Sequence, residues 1–258
     1  MKKLGAGIGK PKGLICHMKA RRRSRLPLST QKRLLEHFVA GTPARSAAEL
    51  VGVNRNTVTL YYRKLREVIA EQIAHEAPVS GEIEVDESYF GGHRKGKRGR
   101  GAAGKVAVFG LLKRHGRVHA IMIPDAGHQT LMSIIRKKVQ PDSIVYSDSW
   151  HAYDKLDVLE FHHERLDHSR HLALGRNHIN GIENLWSQAK RHLRRYNGIP
   201  RKDFHLFFAE CGWRFNIGSP AKLMKILTQW AKLPWVYRRV KLSEDEPYGR
   251  EEDIALFA

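Results

Sequence analysis

Cysteine is almost missing from this chain of 258 residues: Cys16 and Cys211 stand far apart, with no C-x-x-C pair. That scarcity leaves no basis for a disulfide scaffold or a zinc ribbon, and it suits a reducing compartment. Long apolar runs are missing too, and none approaches the ~20 residues a membrane-spanning helix needs. The basic stretch Met1–Arg25 carries no apolar segment of signal-peptide type. Acid is scarce beside base, with 26 Asp+Glu against 46 Lys+Arg and a net charge of +20. Neither G-x-S-x-G nor a P-loop occurs, so serine-nucleophile hydrolysis and ATP-driven work are not indicated. These absences predict a soluble, cytoplasmic protein with no membrane partner, whose partner is a polyanion, nucleic acid above all.

Apolar residues make up 41% of the chain, enough for a sizeable core. Residues 1–27 read as a basic flexible arm with the run Arg21-Arg22-Arg23. From Leu28 the pattern turns helical: Ser29 is placed to cap a helix whose inner face is Leu34, Leu35, Phe38 and Val39. Gly41-Thr42-Pro43 breaks it. A second helix, Ala44–Val51, and a third from Arg55 to Ile73 are joined by Gly52-Val53-Asn54, the spacing of a helix-turn-helix over residues 28–76. Arg55, Asn56, Thr57 and Thr59 fall at the N-terminal end of its third helix, the end that meets base edges in this motif.

Pro78 and Gly81 mark a boundary. The stretch E-I-E-V-D-E-S-Y-F, Glu82–Phe90, alternates as a strand, with Glu84, Asp86 and Ser88 on one face. Adjacent carboxylates on one face repel, a cost that a bound cation relieves. Next comes a Gly-rich basic loop, Gly91–Lys105, with Arg94, Lys95, Lys97, Arg98 and Arg100 available to a phosphate backbone. Val106–Leu112 and Val118–Ile123 read as a hairpin, Thr130–Val139 as a helix and Ser143–Ser147 as a strand with Asp148 at its C-terminal end. A helix from about Ala152 and a strand Glu160–Leu166 follow. In Asn177–Tyr196, Ile179, Ile182, Trp186, Ala189 and Leu193 draw an apolar stripe, and Glu183, Ser187, Lys190 and Arg194 run beside it. Lys190 and Arg194 are candidate phosphate contacts. Trp186, Trp213 and Phe215 read as core aromatics, and Leu223–Leu233 as a last helix within a C-terminal part, residues 218–258, that ends in an acidic tail. This order predicts an α/β mixed sheet covered on both faces, the ribonuclease-H-like arrangement, over residues 82–217.

Three carboxylates stand out: Asp86, Asp148 and Glu183. Spacing alone leaves Glu84 and Glu87 as rivals of Asp86. Three acids brought together need a hard counter-cation, Mg2+ or Mn2+, and two such ions ~3.5–4 Å apart can activate a water or a DNA 3′-hydroxyl. The motifs E-V-D-E-S-Y-F-G-G, Y-S-D-S-W-H-A-Y, D-H-S-R-H, I-N-G-I-E-N-L-W-S-Q-A-K-R and W-R-F-N together resemble the bacterial DDE transposases of the IS fifteen-ninety-five group, within the retroviral-integrase superfamily. The resemblance spans about Glu82–Asn216. It implies metal ligands at Asp86, Asp148 and Glu183, two ions, and cleavage and strand transfer at the ends of an insertion sequence. It also implies double-stranded DNA as partner, a homo-oligomer assembled on that DNA, and a nucleoid-associated place in a bacterial cell. Some relatives carry an asparagine at the third position, which makes Asn180 a rival of Glu183; a carboxylate binds a hard cation better. His168 and Asn180 are candidates for supporting the site. Many relatives carry an N-terminal zinc ribbon, which this chain lacks, so end recognition is expected to rest on the helix-turn-helix. A nuclease without joining activity, and a non-catalytic DNA-binding regulator, are the alternatives.

Overall fold

Alternating apolar and acidic residues make Glu82–Phe90 a strand, β1, and it takes the middle of a five-stranded sheet in the computed structural model. That structure describes residues 24–74, 77–91, 105–148, 161–166, 179–196 and 198–231. Val106–Lys113 (β2) and Val118–Ile123 (β3) form the expected hairpin, antiparallel to each other and to β1. On the other side Ile144–Asp148 (β4) runs parallel to β1, and His162–Leu166 (β5) parallel to β4. The order β3-β2-β1-β4-β5 is the ribonuclease-H-like mixed sheet read from the sequence.

Both faces are covered. Helix His128–Lys138 (α4) sets Leu131, Met132 and Ile135 against Ile83, Val85, Phe109 and Val145. On the opposite face, Asn180–Leu193 (α5) and Phe204–Ile217 (α6) pack Ile182, Trp186, Ala189 and Phe208 against Phe90, Val108 and Leu112. The amide side chain of Asn216, in the W-R-F-N motif, pairs with both backbone groups of Val118 and so ties α6 to the β3 edge.

Ahead of the sheet stand Leu28–Val39 (α1), Ala44–Val51 (α2) and Arg55–Ala74 (α3), here called the N-terminal helices. The first begins at Leu28, with Pro27 rather than Ser29 at its cap; the proline fixes φ at −53° and its carbonyl accepts the amide of Gln31. Asn54 caps the third, its Oδ1 accepting the amide of Asn56 at 2.9 Å. Their core, Leu34, Leu35, Phe38, Val58 and Ile69, closes on Trp213 of α6 and on Leu223 and Leu227 of the last described helix, Pro220–Trp230 (α7). Trp213 and Trp186 are thus both core aromatics, as expected.

Polar contacts reinforce this junction. Glu210 of α6, fully buried, accepts Arg66 Nε of the third N-terminal helix at 2.6 Å and Arg214 Nε at 2.8 Å, with His192 Nε2 3.2 Å away. Burial alone would raise that carboxyl; Arg66, His192 and Arg214 overcome it and hold Glu210 well below the usual range. Arg214 also donates to the carbonyls of Phe38 and Val39, satisfying the open end of the first helix. Among the described residues no helix is long and apolar enough to cross a membrane.

Candidate active site

β1 and β4 pair as far as Glu84 opposite Tyr146, and Asp86 and Asp148 each follow two residues later, which by alternation keeps them on the face of Glu84 and Tyr146. Their charges are felt directly. Burial pushes the Asp86 carboxyl up to about 7, and the charges of Glu87 and Asp148 push the same way. Two donors oppose them: Trp186 Nε1 donates to Asp86 Oδ2 at 2.8 Å, and the Glu87 amide to Oδ1 at 2.8 Å.

Trp186 reaches Asp86 because Gly110, the cross-strand partner of Asp86, has no side chain. A Cβ there would meet Trp186 Cη2 and Ile182 Cδ1 at 2.7 Å each, so α5 lies close on the sheet. Gly181 permits the same approach one turn earlier, where a Cβ would stand 2.8 Å from Glu84 Oε2.

Glu84 is thereby separated from its rivals. Its side chain is 2% exposed, its Oε2 accepts the amide of Ile182 at 2.9 Å, and its Oε1 accepts Arg114 Nε at 3.2 Å. It thus holds the N-terminus of α5, where a carboxylate also complements the helix dipole. Arg114 in turn bonds Glu82 at 3.0 Å and stacks 3.6 Å over the Tyr146 ring. Glu87 lies on the α4 side by alternation and is buried. Of the three rivals Glu84, Asp86 and Glu87, Asp86 is the one on which the charge of Asp148 is felt.

Glu183 is exposed in the first turn of α5, one turn before Trp186, and Asn180 opens the helix, also exposed. Among the described residues no group of three His, Cys, Asp or Glu side chains stands close enough to hold a metal ion. The donor set nonetheless suits a hard cation: each oxygen of Asp86 bonds one N–H and keeps capacity for another partner, and a positive charge would relieve the penalty that raises its pKa. Behind Asp148, Ser147 Oγ meets His163 Nε2 at 2.8 Å, which pins β4 to β5.

Arg55, Asn56, Thr57 and Thr59 are all exposed at the start of the third N-terminal helix. Lys190 and Arg194 are exposed along α5, with Lys190 Nζ 5.9 Å from the Phe90 ring centroid. His168, Arg94, Lys95, Lys97, Arg98, Arg100, the N-terminal arm to residue 23, the helix from Ala152 and the acidic tail lie outside the described residues. Sequence reasoning missed Glu84 as the clasp of α5 and Trp186 as the donor to Asp86. The position of Trp186, three residues after Glu183 on the helix face, was the signal available for the second.

Residues 78–216, over half of the chain, match the family of ISXO2-like transposase domains. A transposase-like protein of Haemophilus influenzae is 49% identical over 116 residues, 45% of this chain and 94% of that protein. A protein in the transposable element ISH50 of Halobacterium salinarum is 28% identical over 178 residues, 62% of this chain and 60% of that protein. Among solved structures, the catalytic core domain of BIV integrase aligns with 51% of this chain and 81% of its own at 14% identity and a TM-score of 0.34. The Mos1 strand transfer complex aligns with 90% of this chain and 82% of its own at 12% identity and the same TM-score.

Proposed function

This chain belongs to the ISXO2-like transposase family, and on that premise we propose that it cleaves the ends of an insertion sequence and joins them to target DNA, with Asp86, Asp148 and Glu183 as the acidic triad. The observation that carries the reading is that Asp86 and Asp148 lie two residues past the last paired positions of neighbouring parallel strands, close enough for the Asp148 charge to push up the Asp86 carboxyl, which stands at about 7. Such a carboxyl is only about half ionised at neutral pH, and a bound cation would favour its ionised form.

Asp86 and Asp148 would hold Mg2+ or Mn2+, one ion or two, and Glu183 would complete the ligand set from the first turn of α5. When bound, the metal supplies charge stabilisation to the phosphate and lowers the pKa of the attacking hydroxyl. Trp186 keeps Asp86 oriented and favours its ionised form. Glu84 holds α5, and with it Glu183, against β1. In cleavage, water forms a new P–O bond, the P–O3′ bond breaks, and the departing 3′-oxygen takes a proton. In joining, that 3′-hydroxyl attacks a target phosphorus and the target's P–O3′ bond breaks. The N-terminal helices read the element end through Arg55, Asn56, Thr57 and Thr59, and Lys190 and Arg194 contact phosphates. Two ends held together call for a homo-oligomer on DNA.

The test is strand transfer of a pre-cut element end into plasmid DNA with Mg2+, Mn2+ or EDTA, beside Glu183→Ala. Metal-dependent joining that disappears in the variant is the expected result. Cleavage without joining would make the protein a nuclease, and binding without chemistry, identical in the variant, a regulator.

A further inference from the structure

Helix α5 is tied at its two ends to different parts of the molecule. At its start, Glu84 of β1 accepts the Ile182 amide at 2.9 Å, one residue before Glu183. At its far end the ties run to the N-terminal helices. Tyr196 Oη accepts Arg66 Nη2 of α3 at 3.2 Å, and Arg195 Nη1 donates to the Gly41 carbonyl, just past α1. His192 Nε2 stands 3.2 Å from Glu210, the carboxylate that Arg66 Nε also bonds. α3 is held once more by Arg63, which pairs with Asp203, just ahead of α6, at 3.2 Å. A hinge between reading and cutting parts needs a small or wet interface. Here Trp213 of α6 and Leu223 and Leu227 of α7 share one core with Leu34, Phe38 and Val58.

Between its ties α5 offers one continuous face. Glu183, Ser187, Lys190 and Arg194 follow at steps of four, three and four residues, all exposed, along the helix and its cap. From Glu183 to Arg194 the rise is about 17 Å, which matches about five base pairs of B-DNA. Arg55 and Thr59, at the reading end of α3, line the same cleft as Arg195. The exposed row therefore leads from the acids to the reading helix, and both are fixed to it.

We propose that α5 is a ruler: it sets the cut at a fixed offset from the bases that α3 of the same protomer reads. Arg66, Arg195 and Tyr196 hold one end of the ruler to the reading helices, as Glu84 holds the other to the acids. They are positioning residues, which touch no reacting atom. The proposal rests on the DNA-processing reading above, which has an end read and cut without stating what fixes the distance between the two.

The test maps cuts to the nucleotide on end-labelled duplexes that carry the element end and its flank, with the full chain and Mg2+. Protection that is lost in Asn56→Ala marks the bases α3 reads. An insertion of about half a helical turn, ~5 base pairs, between those bases and the junction should move the wild-type cut off the junction by the same amount. Arg195→Ala combined with Tyr196→Phe should spread the single cut over several neighbouring phosphates, with duplex affinity unchanged. Tyr196→Phe alone keeps the ring on Phe207 and should give a narrower spread, which tests the tie even where the double variant folds poorly. Lys137→Ala, exposed on α4 across the sheet, should cut as the wild type does. A cut that stays at the original junction after the insertion would overturn the ruler while leaving cleavage intact. So would one sharp cut from both tie variants, whether fast or slow, since the ties would then serve stability alone. A duplex that the wild type neither protects nor cuts would sink both readings.

Discussion

The carboxylate of Glu84 accepts the amide hydrogen of Ile182 at 2.9 Å across 98 positions of chain. Glu84 stands two residues before Asp86 on one face of β1, and Ile182 stands immediately before Glu183. One hydrogen bond therefore fixes the strand that carries the first acid against the helix that carries the third.

Glu84→Ala removes that acceptor together with the carboxylate that Arg114 Nε bonds. Breaking a buried pair from one side costs about 3 kcal/mol, and urea unfolding should record that loss. Glu84→Gln keeps an acceptor for Ile182 and should lose about half as much. An alanine variant as stable as the wild type would remove the clasp from the account.

Trp186→Phe keeps most of the packing and deletes the donor to Asp86. An N–H favours the ionised carboxylate, so its loss should move the Asp86 titration above about 7. The alkaline shift should appear in the pH profile of metal-dependent DNA cleavage, while stability changes by only about 1 kcal/mol.

Asp86 and Glu210 should bend the metal-free stability curve in opposite senses. Native Asp86 keeps a proton that the unfolded chain releases near pH 4, so stability falls as pH rises from about 4 to about 7. Asp86→Asn should abolish that fall, and Mg2+ should raise Tm more at pH 8 than at pH 5. Glu210, held low by its cations, stabilises the fold above the ordinary carboxylate pKa, and that contribution drains away as pH drops below about 4. Melts of Asp86→Asn and of Glu210→Gln across pH would separate the two limbs.

Gly110→Ala inserts a methyl where Trp186 Cη2 would stand 2.7 Å away. The ring must move, at about 1–3 kcal/mol. Near-ultraviolet circular dichroism should change with it, and a spectrum and midpoint equal to the wild type would show that α5 does not rest on Gly110.

Local periodicity made most elements legible. Alternation in Glu82–Phe90 set Asp86 on the face that meets α5, and the apolar stripe of Asn177–Tyr196 placed Ile182, Trp186 and Ala189 in the core. The choice between Glu84, Asp86 and Glu87 was not in the spacing. It depends on Arg114, some thirty positions on, and on an amide 98 positions away. α6 escaped notice for a different reason. It gives Phe204, Phe208 and Cys211 to the sheet core and Trp213 to the core of the N-terminal helices, so no single stripe marks it. Arg66 and Glu210 stand 144 positions apart, and nothing in the local pattern around either marks the pair.

Because α6 belongs to both cores, the boundary near Pro78–Gly81 divides the chain but not the solid. An excised N-terminal fragment would lose Trp213, Leu223 and Leu227 and strand Arg66 without its anion. Any transplant of the three N-terminal helices onto another scaffold must therefore carry α6 and α7 along as part of the graft.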